Sequence, residues 1–233
     1  MYIKAARDFL SRRAVSLTER NLKVAPKIKF TKEKMIEAAI RVVREKGADA
    51  LTAKSLSEEL GISTQPVFTC FGTMDVLKAE VYAAAEEMFY SFVEEGLKEE
   101  IPFFGFGKQY VRFAQEESEI YRMLLFAPPT KEITGAERAM THCRDIVRPS
   151  LMEIYNLTED EANRFFRDLW LVAHSIATLI VTGGCPYSYH EIGKIMTGFS
   201  AGMLMAIKNI PNFTDGEFDR DKLFRTIIEK KYL

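Results

Sequence analysis

The chain has 233 residues, 47% of them hydrophobic, enough to bury one large core or a small domain beside a larger one. Its net charge of −1 argues against a uniformly basic binder of polyanions, yet the balance is uneven, with +5 over residues 1–80 and −6 over the rest. Three widely spaced cysteines, Cys70, Cys143 and Cys185, form no C-x-x-C pair, so neither a disulfide framework nor a zinc site is suggested.

Residues 1–34 hold 10 basic and 3 acidic residues, and residues 1–30 read as a basic N-terminal arm suited to phosphates. The opening, MYIKAARDFLSRR, has scattered charges and no apolar run of signal-peptide length, which gives a cytoplasmic expectation. The first predicted helix is TKEKMIEAAIRVVREKG, with Ile36, Ala39, Ile40 and Val43 on one face at helical spacing and Gly47 as its stop. Thr52 caps a second helix, AKSLSEEL, which Gly61 ends. Ile62 and Ser63 turn the chain into a short third segment, STQPVFTCF, with Ser63 as its N-cap, and Thr73 caps a long fourth helix, MDVLKAEVYAAAEEMFYSFVEE. Residues 31–77 therefore have the layout of a helix-turn-helix DNA reader followed by a connecting helix.

In such a unit the third helix enters the major groove, so Thr64, Gln65, Thr69 and Cys70 are expected at base edges and Val67 and Phe71 toward the core. Gln65 can make a paired donor and acceptor contact to adenine, and a threonine can set a hydroxyl or a methyl against thymine. Thr52, Ala53 and Lys54, with Thr73 and Met74, lie at helix starts and are phosphate-facing candidates. Lys27, Lys29 and Lys32 join them from the arm, which could reach a minor groove.

Residues 78–233 read as an all-α body with helices near 104–115, 117–126, 136–155 (kinked near Pro149), 159–182, 188–208 and 219–230, and a mobile loop at 127–135. The stretch 159–182 is apolar on most of its circumference, and 188–208 sets large apolar residues beside Gly198, Ser200, Ala201 and Gly202. Such helices need cover on all sides, expected here from a second subunit, with core helices of a monomer as the alternative; the expected interface residues are Phe165, Leu169, Val172, Ile176, Ile192, Ile195, Phe199 and Met203. Only Leu169–Val181 is densely apolar, short of the ~20 residues a bilayer requires, so no membrane partner is expected.

The ordered set EAAIRVVREKG, LTAKSLSEELGIS and S-x-x-x-V-F-x-x-F leading into MDVLKAEV resembles the N-terminal domain of the TetR family of one-component transcriptional regulators, over about a fifth of the chain. The resemblance implies a homodimer on a palindromic double-stranded operator and a small-molecule cavity in the body. Many family members carry a tyrosine where this chain has Phe68 and a lysine where it has Met74, both commonly phosphate contacts. Phenylalanine has no hydroxyl to donate and methionine no charge, so either Lys23, Lys27, Lys29, Lys32 and Lys54 supply the lost affinity, which is the preferred reading, or DNA binding is weak.

For the cavity, the aromatic-rich body offers Met88, Phe92, Phe104, Tyr110, Phe113, Tyr121, Phe126 and Trp170, with His174 as the polar group of most interest in LVAHSIATL. The whole reads as a ligand-responsive repressor, released by a small apolar or amphipathic molecule and holding no cofactor. Its alternatives are a regulator without a small-molecule effector and a helical enzyme that uses the apolar cavity. For the enzyme no acid, base or nucleophile set can be assembled, and no Gly-rich phosphate loop, G-x-S-x-G elbow or H-E-x-x-H helix is present.

Overall fold

The computed structural model describes residues 30–126 and 134–229. Among them are ten α-helices, one 3-10 turn (Ala48–Ala50) and no strand. The helices are α1 Lys32–Lys46, α2 Ala53–Leu60, α3 Gln65–Phe71, α4 Met74–Gly96, α5 Pro102–Glu116, α6 Ser118–Leu125, α7 Gly135–Tyr155, α8 Glu159–Val181, α9 Tyr189–Asn209 and α10 Arg220–Glu229. The all-α expectation and the order of its elements are met. Lys23, Lys27 and Lys29, the rest of the arm and the loop residues 127–133 lie outside the described residues.

Local chemistry explains the boundaries. Thr31, Thr52, Thr73, Thr134, Thr158 and Ser188 each accept a hydrogen bond from a first-turn amide, and Thr52–Ser55, Thr158–Glu161 and Ser188–Glu191 close reciprocal capping boxes. Gly61 ends α2 in the left-handed region, φ 64°, where only glycine avoids a Cβ penalty. Ser63, expected as the cap of α3, is not one. Thr64 stands there with a helical backbone and no side-chain bond, while its carbonyl takes the amides of Val67 and Phe68. Pro66 lies in this first turn, where its missing N–H leaves nothing to cap. α7 runs unbroken through Pro149.

The reader packs as α1 against α2 and α4, with α3 lodged between α2 and α4. Its core holds Met35, Ala38, Ala39, Val42, Val43, Leu51, Leu56, Val67, Phe71 and Leu77. The buried arc of α1 is turned from the expected one: Ala39 and Val43 are in it, but Ile36 and Ile40 sit half-buried at its edge, because α1 also packs on α6. α4 then carries Val81, Ala85, Phe89 and Val93 into the core of the body, so the expected division at residues 77 and 78 falls inside one continuous helix. Body and reader share a single apolar cluster.

Candidate nucleic-acid interface and body site

α3 has two faces. Val67 and Phe71 are buried, as their apolar character demands, while Thr64, Gln65, Phe68, Thr69 and Cys70 are exposed, and Ser63 precedes them on the surface. Residues 65, 68 and 69 follow i, i+3, i+4 spacing and so share one side of the helix. Thr69 donates its hydroxyl to the Gln65 carbonyl at 2.9 Å. Lys54 projects from α2 with only a 3.9 Å approach to Glu58. Lys32 behaves otherwise: its ammonium donates to Glu80 at 2.6 Å, a bond to α4 that raises its pKa and draws it from the phosphate role expected of it. Thr52 and Thr73 spend their side-chain oxygens on capping, and Ala53 is half-buried. Met74, expected at a phosphate through the start of its helix, rests its half-buried side chain against the core.

In the body, three helices bring Tyr110 (α5), Tyr121 (α6) and His174 (α8) together. The two hydroxyls lie 2.9 and 2.8 Å from His174 Nδ1 and 3.4 Å from each other. Trp170, one turn before His174, stacks on its ring at 4.7 Å with the planes 7° apart. Phe113 and Tyr110 meet Phe89 edge-on, Phe92 meets Phe113, and Phe126 meets Tyr121. Burial pushes the Tyr110 hydroxyl well above its ordinary pKa and that of Tyr121 up to about 12, and lowers His174. All three are therefore neutral near pH 7, and the imidazole bonds the hydroxyls as acceptor or donor according to its tautomer. The indole N–H of Trp170 is buried without a partner.

Of the nine residues expected to line a cavity, Tyr110, Phe113, Tyr121, Trp170 and His174 gather here, with Met88 and Phe92 half-buried nearby against the same core. Phe104 and Phe126 are largely exposed, which removes Phe104 from the site and leaves Phe126 at its rim. Two surface clefts, of about 430 and 380 Å³, lie elsewhere, between the N-terminal end of α8 and its neighbours α7, α9 and the 210–215 turn. None of the nine residues lines either cleft.

α6 connects the two regions. Glu117, at its N-terminal end, accepts from Arg44 of α1 at 2.7 Å; Arg122 donates to the Val181 carbonyl at the end of α8; and Tyr82 of α4 donates to the Leu124 carbonyl at 3.2 Å. These links join residues 73, 59 and 42 positions apart, so no local pattern announces them.

The outer faces of α8 and α9 also differ from expectation. Phe165, Leu169, Ile176 and Ile192 are buried in the protomer's own core, and Val172, Ile195 and Met203 are partly covered by it. Only Phe199, 56% exposed, remains free among the eight interface candidates. The large apolar side chains left exposed are Leu171 (51%) and Leu179 (43%) on α8 with Tyr189 (44%), Phe199 and Met205 (67%) on α9. Gly198 and Gly202 open onto empty space beside them. The signal was present as the i, i+4 series Leu171, Ser175, Leu179, but the neighbouring apolar series masked it.

Short N-terminal helices with an outward polar edge, joined by one long helix to a helical body, make up a fold that solved TetR-family structures share. A TetR-family member from Streptomyces coelicolor A3 shares it with a TM-score of 0.52 at 17% identity, covering 75% of this chain and 98% of that one. The multidrug binding protein EbrR, solved with imidazole, aligns at a TM-score of 0.46 and 19% identity over 72% of this chain and 88% of its own. No protein-family model and no curated protein matches the sequence. Among the described residues no helix is long and apolar enough to cross a membrane.

Proposed function

We propose that the chain is a dimeric, DNA-binding transcriptional repressor, not an enzyme, that recognises a palindromic operator through α3 and responds to a small apolar or amphipathic molecule in the body. The observation that carries the proposal is the division of α3, with Val67 and Phe71 anchoring it while Gln65, Phe68 and Thr69 stand outward. A second copy packed on Leu171, Leu179, Phe199 and Met205 would present two such helices, with half-sites about one helical turn, ~34–36 Å, or a small multiple apart. An effector oxygen near Trp170 would satisfy its unpaired N–H, and displacement of Tyr121 would move α6, to which Arg44 ties the reader. Such a ligand shifts DNA affinity only by its different affinity for the two placements of α6. Selection of bound fragments from genomic DNA by the full chain tests the reading: an enriched inverted repeat supports it and a flat profile ends it.

One observation favours a second reading, a regulator without a small-molecule effector. The aromatic rings of the body pack directly on one another around Phe89, Tyr110 and Tyr121. Compounds that raise the melting temperature yet leave operator affinity unchanged would favour this alternative.

A further inference from the structure

We infer that α3 reads thymine methyl groups, Gln65, Phe68 and Thr69 forming an uncharged edge suited to A·T pairs. The inference rests on the proposal that α3 is the DNA-contacting helix and specifies the duplex it takes. The helix, QPVFTCF, contains no lysine, arginine, histidine or acid. It therefore offers neither the forked cationic contact to guanine O6 and N7 nor the carboxylate contact to cytosine N4. What it does offer is apolar. Phe68 leaves 41% of its surface in water with no use for it inside the protomer. Thr69 has committed its hydroxyl proton to the Gln65 carbonyl, so it offers an outside partner its methyl and an oxygen that only accepts.

Gln65 carries the one side-chain amide of the helix, and its pairing with adenine N6 and N7 places a thymine on the opposite strand. The C5 methyl of that thymine, or of its neighbours, lies in the major groove, where an aromatic ring and a threonine methyl are its natural contacts.

The test begins with a duplex enriched by the full-length protein from a random pool. Each thymine of a half-site is then replaced by deoxyuridine, which removes the C5 methyl and nothing else. Half-sites rich in A·T pairs are expected, and at least one replacement per half-site should weaken binding about fourfold, the transfer value of one buried methylene-sized group. Thr69→Ser, which keeps the hydroxyl bond and deletes only the methyl, or Phe68→Ala should erase the sensitivity at one position while circular dichroism stays unchanged. Uniform indifference to deoxyuridine, or half-sites built on guanine contacts, overturns the methyl assignment but leaves DNA binding standing. Enrichment of no duplex overturns DNA reading itself, and the assignment with it.

Discussion

Burial strips His174 of the water that would stabilise its imidazolium, while Tyr110 and Tyr121 hold Nδ1 from two sides and Trp170 covers a face of the ring. Its pKa lies below the ordinary 6.5, so between 6.5 and the lowered value the unfolded chain binds a proton that the folded chain refuses. The stability this neutral histidine contributes is complete above pH 6.5 and is lost as pH falls through that window. Urea midpoints measured from about pH 7.5 to about pH 5 should fall more steeply for the native protein than for His174→Gln. Equal acid slopes would show that other groups govern the loss. A histidine between apolar neighbours was visible in the sequence, but its two tyrosine partners, 64 and 53 positions away, were not.

At the scale of the helix, boundaries were legible because caps are local. Thr31, Thr52 and Thr73 each bond an amide three positions on, and Gly61 reverses the chain without help from elsewhere. Crossings are not local. α4 and α5 approach so closely that a Cβ on Gly105 would overlap the Gly96 carbonyl, and one on Gly96 would strike the Gly105 backbone. Gly105→Ala should therefore force the helices apart and cost about 1–3 kcal/mol, seen as a lower chemical-denaturation midpoint. Gly198→Ala, where the added carbon meets nothing in the protomer, should cost the folded monomer little and mark the contrast. Helix propensity favours alanine over glycine at both positions, so a similar loss at both would mean that the close crossing does not set the penalty.

For the whole molecule, the uncovered apolar surface is the chief consequence of the fold. Leu171 and Phe199 are both more than half exposed, so a charge at either leaves the protomer's own packing intact. If the chain dimerises on this surface as proposed, Leu171→Glu with Phe199→Glu should convert the dimer to a monomer at unchanged helicity and abolish binding to an inverted-repeat duplex. A double variant that still sediments as a dimer would place the interface on another face. Arg44–Glu117 has a different role, tying the reader to α6 across 73 positions of sequence. Its guanidinium is partly in water, so it positions α1 more than it stabilises the fold.

By itself the sequence determined the number and order of the helices, the caps at Thr52 and Thr73, and the two-sided character of α3, because capping, glycine reversal and apolar spacing act within a few residues. Which arc of α1 is buried, which stripe of α8 and α9 stays uncovered, and that Lys32 serves Glu80 were decided only in three dimensions. An apolar helix carries several stripes that could each face inward, and only the neighbours brought beside it by the rest of the chain select one. Phe165 and Leu171 look alike as letters, yet the first is enclosed by Phe103 and Tyr155 and the second stays half in water.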